Sequence, residues 1–366
     1  IHLGFEFLRI MNFINGNYLD EIFDWLVATN DRNLLSTKAF IDEGRIVFLD
    51  QVFNIIEPSS LLIVRNILEP ISKISKDLCR LCRHFDLDHS ILCHSLELFD
   101  QFYSNLLEYA NNNGFIWLDN EKVQLFFNRN LGSLLLRIDD SQCYDYLFWI
   151  LFDDHAIDSG IRAQYVHNHG RTLCLLVCLL ISAKINSCRS FLNIKKIQHF
   201  LRCIDLPSDF CKKSIIIRFE REILDSIRFE ICLKTLNNFI ETLMSVILRS
   251  IINYEYIDAK MINQLFEISN LLTQNYYICR VLILIDLFEK ETERIFALDS
   301  YDNLVILENF SRNKMLIAAG IVTAVFQLDG FQYLNDAILN FVAEKTMLKI
   351  SSVKNCQDAI INSILN

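Results

Sequence analysis

Glycine and proline are scarce in this chain: its 366 residues include 9 of the first and 3 of the second. That leaves few tight turns and few helix breakers, and the composition carries no sign of a disordered tail. No run shows the sustained alternation of a half-buried strand. Motif-borne catalytic machinery is missing too. There is no Gly-rich phosphate loop, no Gly-x-Ser-x-Gly elbow and no His-Glu-x-x-His helix, so no enzymatic activity is expected. No stretch reaches the roughly 18 uncharged apolar residues of a membrane span. The opening IHLGFEFLRIMNF lacks a basic start, a long apolar stretch and a small-residue cleavage site, so no signal peptide is expected. The chain starts with Ile rather than Met, as a fragment would. The expectation is a soluble intracellular protein.

Positive charge is also short. Lys and Arg number 35 against 45 Asp and Glu, for a formal charge of −10. That balance argues against a protein that grips nucleic acid through a basic face. The local exception, Lys195, Lys196, Lys212 and Lys213, reads as solvated surface.

What is abundant is apolar residues, at 52% of the chain, and their spacing is helical. Residues 18–29 place Ile22, Phe23, Leu26 and Val27 on one stripe. Leu92, Leu96, Phe99, Phe102 and Leu106 continue the pattern, as do Ile216, Phe219, Ile223 and Ile227 with charges opposite. Thr235 is placed to cap LNNFIETLMSVIL. The predicted class is all-α. Leu173–Ile181 is apolar without interruption. As a helix it rises only about 14 Å, too short for a bilayer core of roughly 30 Å. A helix that is apolar on every side belongs at the centre of a bundle, so residues 172–184 are expected there, with Lys184 where the helix meets solvent.

Twelve cysteines raise the question of disulfides or metal. Cys174, Cys178, Cys232 and Cys279 sit in apolar helical stretches, where a thiol behaves as a small hydrophobe, and reduced thiols are the default without a secretory signal. The best metal candidate is Cys79, Cys82, His84, His89, Cys93 and His94. The first pair lies inside a helical pattern and the later ligands face an apolar stripe, which favours packing over zinc. Asp153, Asp154 and His155 form the nearest thing to an acid/base group, but adjacent acids in a loop are ordinarily solvated. No metal or cofactor is assigned.

Three signals in order resemble the cyclin box: Phe99-Asp100-Gln101-Phe102 ending a second helix, Ser182-Ala183-Lys184 closing an apolar third, and Phe219-Glu220 opening a fifth. Within that family, FIETLM at 239–244 and NKMLIAAGIVTAVFQL at 313–328 are similar to the divergent meiotic crossover branch, as is DEIFDWLVATN near the start. The resemblance covers about 18–109 and 169–345. It implies tandem cyclin-like five-helix bundles, the second degenerate: an N-terminal helical segment at 1–60, a cyclin box at 61–250 with an insertion at about 110–168, and a second helical domain at 251–366. It implies a non-catalytic regulator of meiotic crossover designation and maturation, nuclear and on meiotic chromosomes. Such a protein would recruit recombination proteins, with a cyclin-dependent kinase as a candidate partner and no membrane or direct nucleic-acid ligand. Lys184 and Glu220 match the cyclin residues that face the kinase. The alternative is a kinase regulatory subunit in cell-cycle or transcription control. Ile185, Asn186 and Ser187 replace the acids that usually follow the lysine, Gln101 replaces an arginine, and the substrate-docking patch of cell-cycle cyclins has no match near 62–75.

Overall fold

Sparse punctuation gives long helices, and four of them are followed by left-handed residues other than glycine. The computed structural model describes residues 74–112, 161–186, 192–204, 211–229, 231, 234–252, 258–296, 301–329, 331 and 334–365. Among these residues every regular element is a helix and there is no strand. In chain order they are α1 (74–84), α2 (His89–Asn112), α3 (Ile161–Asn186), α4 (Ile194–Cys203), α5 (Lys213–Ser226), α6 (Leu236–Ile252), α7 (Ala259–Thr292), α8 (Tyr301–Arg312), α9 (Lys314–Leu328), α10 (Asn335–Thr346) and α11 (Ile350–Leu365). Five non-glycine residues adopt left-handed backbone: Asp86, Arg228, Phe229, Glu293 and Met347. All five lie just past the end of a helix, after α1, α5, α7 and α10, where a glycine would carry no Cβ penalty.

Two compact units divide the described helices. The first runs Asp77–Leu233, and the second joins the chain up to Lys76 to Lys234–Asn366. In the first, α3 packs on α2, α5 and α4. Every residue from Leu173 to Ile181 is at most 3% exposed. This is the central helix that its all-round apolar character requires. It begins at Ile161, well before residue 172, so the end of the expected insertion, with its HNHG sequence, is helical. Once the buried segment nucleates a helix, each added turn costs little even through polar residues. Residues 113–160 lie outside the described set, with Asp153, Asp154 and His155, and so does the N-terminal stretch with Ile22 and Phe23.

In the second unit α9 plays the same part. Met315–Phe326 are all buried, and α9 is packed by α6, α7, α8, α10 and α11. Polar ties hold the surrounding helices. Glu291 on α7 accepts from Ser352 Oγ at 3.0 Å and from Asn355 Nδ2 at 2.9 Å on α11. The fully buried Gln357 donates to Thr323 O and Asn335 Oδ1, each at 3.0 Å. The α6 helix, expected to close the first bundle at 250, packs instead on α9 and α10. The unit boundary falls before it, at Leu233/Lys234. Its apolar stripe, Leu236, Phe239, Ile240, Leu243, Met244 and Ile247, is the reason: a stripe that wide needs the second apolar helix as its partner. Thr235 does precede α6, but the cap runs the other way. Its amide and hydroxyl donate to Asn238 Oδ1 at 2.8 and 3.0 Å. At the start of α7, Asp258 Oδ1 accepts from the amide of Met261 at 2.8 Å.

By length and composition alone, α7 passes as a candidate membrane span, with 44% of its most apolar window buried inside the protein. The expectation that no stretch would qualify rested on uncharged residues, and α7 carries Arg280 and Asp286. Its buried residues, including Ile262, Leu265, Leu272, Tyr276, Ile283 and Leu287, form one face, and the helix packs on α9 and α11. That is the pattern of a core helix.

Candidate functional site

The burial of α3 stops abruptly. Ser182 and Ala183 are fully buried and Lys184 is the first exposed residue. Beside it Asn186 fastens the helix end to α2: its Nδ2 lies 2.8 Å from His94 Nδ1 and donates to Ser182 O at 2.9 Å. His94 is 2% exposed, so the α3 terminus is anchored on a buried ring.

Across from this end runs α5. Ile216, Phe219 and Ile223 bury its inner face, and Glu220 stands next to that stripe at the surface. Glu220 lies two turns into the helix and does not open it, because the apolar period extends back through Ile216. Lys184 Nζ donates to Glu220 Oε1, an ion pair between residues 36 positions apart. Two residues picked separately from sequence are therefore in contact. The lysine side chain is 46% exposed and the carboxylate 15%. One partner faces water and the other is sheltered against the bundle.

The surface around the pair is partly apolar. Ile217 is 44% exposed one turn before Glu220, and Leu224 is half-buried one turn after it. Sequence reasoning missed Ile217. The signal was there, since Ile215, Ile216 and Ile217 are more apolar residues than one buried stripe can use. Along α5, Arg218 pairs with Glu222 at 2.9 Å and Arg221 with Asp225 at 3.4 Å. The site is thus a fixed ion pair flanked by aliphatic side chains.

The cysteine and histidine group does not come together as a ligand set. Among the described residues no cluster of three or more His, Cys, Asp or Glu could hold a metal ion. Cys82 Sγ donates to Leu87 O at 3.4 Å, and His84 packs against Phe85 and Phe200. Burial pushes the Cys79 thiol up to about 11 and Cys82 to about 12, which keeps both protonated and poor as ligands. The nine described cysteines are reduced thiols.

His89 belongs to packing as well, with a measurable consequence. Its Nε2 lies 3.2 Å from Cys93 Sγ, and its buried Nδ1 has no hydrogen-bond partner. Burial lowers its pKa from 6.5 to about 4. The unfolded chain therefore takes up a proton below pH 6.5 that the folded chain refuses until about pH 4. Stability from this residue is complete above that window and is lost as pH falls through it, on the order of 2 kcal/mol by about pH 5. Denaturant titrations of wild type and His89→Gln at neutral pH and near pH 5 check this. The variant is expected to lose less stability on acidification.

No family model, curated protein or solved structure matches the chain.

Proposed function

We propose that this chain is a divergent cyclin-like regulator without catalytic activity. Its proposed architecture is a tandem pair of bundles, each built around one all-apolar helix, α3 and α9. The observation that carries the reading is the Lys184–Glu220 pair. Its two members resemble the kinase-facing lysine and glutamate of cyclins, and they meet at the surface between α3 and α5. The mechanism is physical. A cyclin packs its surface against a mobile kinase helix and holds the active arrangement, shifting a two-state equilibrium by its greater affinity for one state. In that scheme Lys184 donates to carbonyl oxygens of the partner, Glu220 orients the ammonium group, and Ile217 and Leu224 supply apolar contact.

Within the family, the resemblance of FIETLM on α6 and of the α9 sequence favours the meiotic crossover branch, represented by cyclin N-terminal domain-containing protein 1. The chain would then act in the nucleus, on meiotic chromosomes, gathering recombination proteins until intermediates mature as crossovers. The exposed pair also suits a kinase subunit in cell-cycle or transcription control, which is the competing reading.

Affinity purification from germline tissue, with partners counted by mass spectrometry, separates the two. Recombination proteins together with a cyclin-dependent kinase, and foci on synapsed chromosomes, are expected. A kinase recovered from dividing somatic tissue without recombination proteins would favour the competing reading. Recovery of neither class would remove both.

A further inference from the structure

We draw no further inference here: the strongest candidate, the exposed apolar face of α7 around Leu271 and Leu282, carries nothing because no feature of the structure shows what covers it.

Discussion

Gly320→Ala is expected to destabilise the protein by about 2–3 kcal/mol, although alanine is the better helix former. Two effects oppose each other at this position. Replacing a glycine inside a helix by alanine ordinarily gains about 1 kcal/mol. Here a Cβ would stand 2.4 Å from Cys356 Sγ, 2.9 Å from Cys356 Cβ and 3.1 Å from Ile360 Cδ1. The thiol could rotate away, but the Cβ belongs to α11 and can give only if the helix moves. Cys356 and Ile360 are both fully buried, and interiors at crystal-like density have no slack for that shift. The clash therefore outweighs the propensity. Gly320 is the close approach between α9 and α11, and Gln357, beside Cys356, bonds across the same contact. Chemical denaturation measures the loss. In the double variant Gly320→Ala/Cys356→Ala the sulfur is gone but the Cβ contact at 2.9 Å stays, so only a small part of the loss should return. If Gly320→Ala alone matches or exceeds wild-type stability, the α9–α11 packing described here is wrong.

A second large effect is expected at Leu176, in the middle of the α3 apolar run. Leu176→Ala should cost about 2–5 kcal/mol, the range for a buried leucine whose cavity closes only in part. Leu176→Lys should cost more, because an unpaired ammonium in the interior loses several kcal/mol of hydration with nothing in return. Leu176 is fully buried, as are Leu173, Val177 and Leu180 around it. Lys184, two turns on, already stands at 46% exposure, and its replacement should cost under about 1 kcal/mol. Circular dichroism and denaturant titration compare the three variants. Near-neutral behaviour of Leu176→Lys would mean that the run is not the centre of a bundle.

The contrast between Leu176 and Lys184 shows what was legible in the sequence. Nine apolar residues without a polar face leave a helix nowhere to go but inside, so the burial of α3 followed from composition on a helical period. The emergence of Lys184 followed from the same reasoning, whereas its contact with Glu220 is visible only in the structure. Other features depended on relationships between distant residues. That α6 joins the second unit is decided by which apolar stripe it meets, α9 or α3, and both stripes were equally good on paper. The helical start of α3 through HNHG contradicts local propensity, since those residues are carried along by a buried segment further down the chain. The left-handed residues after α1, α5, α7 and α10 had no signal at all: in a chain with 9 glycines, ordinary residues take that backbone and accept its cost. Gly320 could be noted in sequence but not explained, because its reason lies in Cys356, 36 positions away.

The central claim is that the Lys184–Glu220 pair is a partner-binding surface and not only a brace between α3 and α5. The charge swap Lys184→Glu/Glu220→Lys tests this most directly, because it rebuilds the internal ion pair with its polarity inverted toward the partner. Each single reversal and the swap would be purified from germline extract beside the wild type, and the co-purifying cyclin-dependent kinase quantified, with melting temperature recorded for each. The account predicts that the swap recovers the stability lost by the single reversals while kinase recovery stays near background. Full recovery of the kinase with the swapped pair would contradict it, and would leave the pair as a clasp that holds two helices together.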